Sequence, residues 1–236
     1  MPTPARLDHL RSPVGLAKAV CVLLGVAAFT DVLGVAAGIH ARVLVADGLE
    51  DGFLAVDEEA WDRADMLYLA AGRLQTLTFL ACAVVFIVWF RRVRLNAEVF
   101  DPQAHSMAPG WAVGAWFVPF GNLWLPRRVA SGVWTASAPA DTPGGRSEAP
   151  RGLLNGWWAA FVAAEILSRA GGQAYDGAET GREIIDGLDL VAFGDALEVG
   201  AAVLAILFVR RLTAMQTLRA MTGALPVERA HGARAH

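Results

Sequence analysis

Lysine is almost missing from this chain: Lys18 is the only one among 20 basic residues, and all the others are arginine. With abundant alanine and glycine, this bias fits a GC-rich genome and needs no functional account. Cysteine is scarce too. Cys21 and Cys82 each sit inside an apolar run, which excludes a disulfide framework and leaves them as small packing residues. No CxxC, P-loop, GxSxG or HExxH pattern occurs, and the glycines are single and interspersed, so no phosphate cradle is written into the chain. His9, His40, His105, His231 and His236 show no ligand-like spacing. His105 lies near Asp101 and Ser106, but a triad is defined by geometry in space, and a loop histidine is the plainer account. The sequence thus predicts no catalytic constellation, no metal and no cofactor, and points away from an enzyme.

Charge is also scarce inside long stretches, and there the chain is informative. Hydrophobic residues make up 55% and the mean hydropathy is +0.42, too apolar for a typical soluble domain. Four apolar runs stand out, at about 16–39, 72–90, 152–171 and 190–210. Each is near the ~20 residues that a membrane-spanning helix needs. The first follows Arg6 and Arg11 and ends in Ala36, Ala37 and Gly38, like a secretory leader, but its apolar part is long for one and an uncleaved span is expected. The second ends in Trp89 and Phe90 followed by Arg91, Arg92 and Arg94, an aromatic belt and arginine cluster that marks a cytoplasmic exit. The third carries Trp157 and Trp158 near its inner end, and the fourth stops at Arg210 and Arg211.

Between the runs, residues 40–72 are read as an acidic loop whose last part, Glu58 to Leu69, continues into the next helix. A second acidic loop holds Asp176, Glu179, Glu183, Asp186 and Asp189. Neither has calcium-loop spacing, so solvated faces are expected. The 137–150 loop is rich in Pro, Gly and Ser and reads as a flexible connection. Fifteen of the 20 basic residues fall on the side of the N-terminus, the 91–151 connection and the C-terminus. Only Arg42, Arg63, Arg73, Arg169 and Arg182 lie on the other side or near it. By the positive-inside rule both termini are cytoplasmic and the protein resides in the cytoplasmic membrane. Arginines explained by topology give no support to nucleic-acid binding.

The stretch 109–126, PGWAVGAWFVPFGNLWLP, is uncharged, apolar and broken by Pro109, Pro119 and Pro126. It is too short and interrupted for a span, and Trp111, Trp116 and Trp124 suit the headgroup level. It reads as an interfacial or re-entrant segment reaching to about residue 136. Pro126 opens a short helix whose apolar face holds Val129, Val133 and Trp134, with Arg127 and Arg128 toward headgroups or water. Expected partners are the lipid bilayer, anionic headgroups at Arg91, Arg92, Arg94, Arg127 and Arg128, and a membrane or cytoplasmic protein.

Charges inside spans are costly, at least ~2.5–3.5 kcal/mol each at mid-membrane, and normally face a bundle interior or water. Asp31, Glu165, Asp195 and Glu198, with Arg73 and Arg169 nearer the ends, all fall in the outer half. Glu165 and Arg169 are spaced i,i+4, and Asp195 and Glu198 i,i+3. They are read either as glue between helices or as an outward vestibule for protons or cations, with Asn122 and the broken backbone around Pro119 the only inner continuation.

Three motifs resemble the actinobacterial membrane family known as domain of unknown function 4328. They are RVRLNAE, which includes Arg92, Arg94 and Asn96, the stretch from Pro109 and Gly110 to Pro126, and VWTAS, which includes Trp134. The resemblance runs from the second span through the fourth and implies a four-helix membrane protein with a cytoplasmic signature, but no activity.

The expected fold is an all-α membrane protein with four transmembrane helices and an interfacial or re-entrant helical segment between helices 2 and 3. A lead over 1–15 and a tail over 213–236 are expected to be cytoplasmic, flanking a transmembrane domain over 16–212. The leading function is a non-enzymatic interaction or scaffold component, and the alternative is a small ion or proton pathway.

Overall fold

A computed structural model describes residues 10–52, 57–139 and 150–223. Arg6, Arg146, Arg229, Arg234, His9, His231 and His236 lie outside the described residues, as do most of the 137–150 loop and the tail beyond Gly223.

Every regular element among the described residues is helical: α1 Val14–Asp51, α2 Glu58–Phe100, α3 Trp111–Gly114, α4 Leu125–Ser137, α5 Gly152–Asp176 and α6 Gly181–Gly223. Two 3-10 turns, Pro102–Ala104 and Gly121–Leu123, bracket α3. The helices are longer than the apolar runs. Residues 40–51, expected in a loop, continue α1. Thr213 to Gly223, the first part of the expected tail, are helical and extend α6.

Local chemistry explains the added length. Glu58 and Glu59 occupy the first turn of α2, where acids complement the helix dipole, and Asp57 Oδ1 accepts from the Glu59 N–H at 3.3 Å. Ahead of α6, Thr180 Oγ1 accepts from the Glu183 N–H at 3.3 Å while a Glu183 carboxylate oxygen accepts from the Thr180 N–H at 3.0 Å. This is a reciprocal capping box. Much of each acidic "loop" is therefore helix, and its carboxylates begin or decorate helices rather than forming a separate coil.

Among the described residues, three helices are long and apolar enough to cross a membrane: α1, α2 and α6. In each, under a third of the most apolar window is buried within the chain. The 25-residue α5 is not among them, since Asn155, Glu165 and Arg169 interrupt its apolar residues. At ~1.5 Å per residue the 43 residues of α2 extend about 65 Å, roughly twice a ~30 Å hydrocarbon core.

The chain divides into two compact units. One, here the arginine-rich unit, comprises Met1–Ala17, Ile87–Arg151 and Arg210–His236. The other, the carboxylate unit, comprises Lys18–Phe86 and Gly152–Val209.

In the carboxylate unit, α5 and α6 form a tight antiparallel pair. A Cβ on Gly187 would meet Tyr175 backbone at 2.8 Å, and one on Gly171 would meet the Val191 nitrogen at 2.7 Å. Small residues bring backbones close where apolar surroundings give little drive for helices to associate. Trp157 stacks on Phe208 with centroids 4.6 Å apart and meets the Phe86 and Trp158 rings at 5.7 Å each. Trp157 and Trp158 are both buried, so these tryptophans pack inward. The unit's outside is apolar, with Val22, Phe29, Leu77, Val84 and Phe193 all exposed. Buried Asp31, Asp195, Thr30 and Thr78 lie within. Carboxylates buried within, under an exterior that exposes so many large apolar side chains, are unlike a water-soluble domain.

Candidate interfacial surface and buried polar clusters

Two amides and an arginine lie at the centre of the arginine-rich unit. Asn96, on α2, clasps the chain just before α1: its Oδ1 accepts from the Arg11 N–H at 3.2 Å and its Nδ2 donates to the Arg11 carbonyl at 2.9 Å. That Nδ2 also donates to Gln216 Oε1 at 3.2 Å. Gln216 Nε2 in turn donates to the Val93 carbonyl at 2.8 Å and to Ser137 Oγ at 3.0 Å. A buried amide is tolerated only when its donors and acceptors are met. These two serve each other while joining α2, α4, α6 and the lead into α1. Arg219 donates to the Ala136 and Ala138 carbonyls at 2.6 and 2.8 Å and to the Phe100 carbonyl at 3.3 Å. It thereby satisfies C-terminal carbonyls of α2 and α4 at once.

Arg94 corrects an expectation. It is 2% exposed, ion-paired to Glu98, and donates to the Met107 carbonyl at 2.9 Å, so it tethers the 105–107 loop and is closed to lipid headgroups. Trp89 and Phe90 are likewise fully buried: the Trp89 indole N–H donates to Thr213 Oγ1 at 3.3 Å, in place of a belt facing headgroups. Both corrections have one cause. Because α2 and α6 continue side by side beyond the apolar runs, their flanking residues gain neighbours that isolated span ends would lack.

Arg94 also lines a small cleft with His105, Ser106, Met107, Arg128, Val129 and Gly132. His105 Nε2 is buried there with no hydrogen-bond partner among the described residues. Burial first, and then the Arg94 charge, push the imidazole pKa below its usual value, so the ring is neutral near pH 7.

The 109–126 stretch folds as the short α3, a turn, the second 3-10 turn and the start of α4. Its inner side is Ala112, Ala115, Gly121 and Pro126. Trp116 meets the Phe90 ring edge-on, centroids 6.1 Å apart. Its outer side carries large apolar groups: Phe117 is 72% exposed, Phe120 79% and Trp124 56%, with Trp111 and Leu123 also exposed. Phe120 sits at φ 57°, a conformation that side chains resist, at the bend that throws its ring outward. Pro126 opens α4, and exposed Arg127 and Arg128 follow in its first turn, with Arg128 Nε donating to Ser106 Oγ at 3.2 Å. Val129, Val133 and Trp134 are buried on the opposite face. The Pro109 and Gly110 carbonyls accept from the Ala112 and Val113 N–H groups at the start of α3, and beyond it the Pro119 carbonyl accepts from the Gly121 N–H while the Asn122 N–H donates to the Val118 carbonyl.

Among the described residues of this unit the basic side chains are Arg11, Arg91, Arg92, Arg94, Arg127, Arg128, Arg151, Arg210, Arg211 and Arg219, against the acids Glu98 and Asp101.

In the carboxylate unit, Asp31, Asp195 and Glu198 approach closely enough to feel one another's charge. Gln75 Nε2 donates to Asp31 Oδ1 at 3.3 Å, and Ser168 Oγ donates to a Glu198 carboxylate oxygen at 2.8 Å. Gly34 leaves the room: a Cβ there would lie 2.7 Å from both Asp195 Oδ2 and Gln75 Nε2. Glu165 pairs with Arg169 at 3.3 Å, and Arg169 is largely exposed. Arg73 is exposed as well, so neither arginine is inserted among Asp31, Asp195 and Glu198. Gln75 and Ser168 escape sequence reasoning because uncharged polar residues inside apolar runs look unremarkable in a tally of charges. Among the described residues, no group of three or more His, Cys, Asp or Glu side chains is arranged to hold a metal ion.

No curated protein and no solved structure matches the chain significantly. Residues 54–214, which take in α2 through most of α6 and the whole signature segment, match the family described as Domain of unknown function (DUF4328), and the chain belongs to that family.

Proposed function

We propose that the chain is an integral protein of the cytoplasmic membrane that works as a non-enzymatic membrane-interaction or scaffold component. In this reading it crosses the bilayer four times with both termini cytoplasmic, and its tryptophan-proline segment lies at the inner headgroup level. The observation that carries it is the Trp116–Phe90 contact. Phe90 ends the second apolar run, just before Arg91 and Arg92. A segment packed on Phe90 is held at the depth where that run leaves the bilayer. There, exposed Phe117, Phe120 and Trp124 have the amphipathic layer that aromatic rings favour.

Cysteine labelling in intact cells tests the topology. A cysteine at position 105 should react only after permeabilisation, and one at position 47 or 179 should react from outside; labelling of position 105 from outside would refute the reading. For the scaffold role, crosslinking from native membranes should recover fewer partners with Trp124→Ala, whose side chain is exposed, and an unchanged yield would count against it.

A second reading rests on the gathering of Asp31, Asp195 and Glu198 around Gln75 and Ser168, with the neighbouring arginines turned away. Such a cluster suits a proton or small-cation pathway opening to the outer side. Liposomes holding the protein would then show proton flux above background that Asp195→Asn with Glu198→Gln abolishes. Flux at background in the unmodified protein would end this reading.

A further inference from the structure

We propose that the edge formed by Phe117, Phe120, Trp124, Arg127 and Arg128 selects anionic over zwitterionic phospholipid. This rests on the interfacial placement above and adds the charge of the lipid it meets. Exposed rings alone would accept any headgroup, whereas the charges beside them discriminate. From Pro102 to Pro139 there is no acidic residue. Arg127 and Arg128 are both exposed within the first turn of α4, immediately after Trp124, so cations and rings share one edge. Arg128 is held through Nε by Ser106, while four of the five guanidinium N–H donors reside on its terminal nitrogens, the geometry that suits phosphate oxygens. Exposed Arg91, Arg210 and Arg211 give the unit a positive field that repels a choline ammonium and attracts a net negative headgroup. A peptide partner for this edge would need to offer both acids and an apolar face, whereas an anionic leaflet supplies the two as layers.

The test uses the full chain in nanodiscs, with Cys21 and Cys82 replaced by alanine and a bimane fluorophore on Phe117→Cys. Quenching by brominated phosphatidylglycerol is compared with quenching by brominated phosphatidylcholine at equal mole fraction. The phosphatidylglycerol signal should dominate, and Arg127→Gln with Arg128→Gln should lower the local preference by about five-fold per arginine. Equal quenching by both lipids in the unmodified background would overturn the inference while leaving the interfacial placement intact. Preference unchanged in the arginine variant would overturn the assignment to this edge. Quenching by neither lipid would overturn the placement, and the inference with it.

Discussion

His105 is where local chemistry makes the clearest claim. Its ring is half-buried between α2 and α4 near Arg94 and Arg128, with Glu98 and Asp101 the nearby acids, and its pKa is held below the ordinary 6.5. A histidine with a depressed folded pKa contributes full stability above the unfolded value. That contribution is lost as pH falls through the folded value, because the unfolded chain takes up the proton first. The apparent melting temperature should therefore decline as pH falls below about 6.5, and His105→Gln should flatten that decline. Equal slopes for the two proteins would show that another group is responsible. Arg219 makes a second prediction. Its removal strands carbonyls at the ends of α2 and α4, so Arg219→Ala should cost about 2–3 kcal/mol, read as a lower denaturation midpoint, with lysine restoring only part. Neither residue stands out in the sequence, since histidines and arginines near span ends read as loop and topology residues. Arg94 does stand out, but for a headgroup role, and in the fold it holds Met107 rather than lipid.

At the scale of elements, the apolar runs locate α1, α2, α5 and α6, and Pro126 locates the start of α4. Their ends are obscured in the sequence because helix propensity, capping and acidic first turns extend a helix past the point where its hydropathy fades. The signature segment is recognisable by composition, while its shape depends on Phe120. That residue's positive φ stores about 1–3 kcal/mol for a non-glycine residue. Phe120→Gly should accordingly stabilise the fold, or leave it neutral, while weakening contact with the bilayer, measured as reduced brominated-lipid quenching of a nearby probe. A variant both less stable and still fully lipid-bound would contradict the division of roles given to this residue.

For the whole molecule, the carboxylate unit exposes large apolar side chains while burying Asp31 and Asp195 beside an aromatic core. Trp157, stacked on Phe208 and touching Phe86 and Trp158, is its densest aromatic contact. Trp157→Ala should cost about 3–5 kcal/mol by leaving a cavity among these rings, seen as lost thermal stability in detergent. A drop smaller than about 1 kcal/mol would show that the neighbours collapse into the gap.

Hydropathy, arginine placement and three short motifs were enough to determine an all-helical, membrane-capable member of this family, because each is a linear property of the chain. Which polar residues meet was decided only by tertiary structure. Asn96 finds Gln216 120 positions away, and Gln75 reaches Asp31 across 44. Such pairs depend on how helices run beside one another, and residue spacing along a single helix carries no record of that.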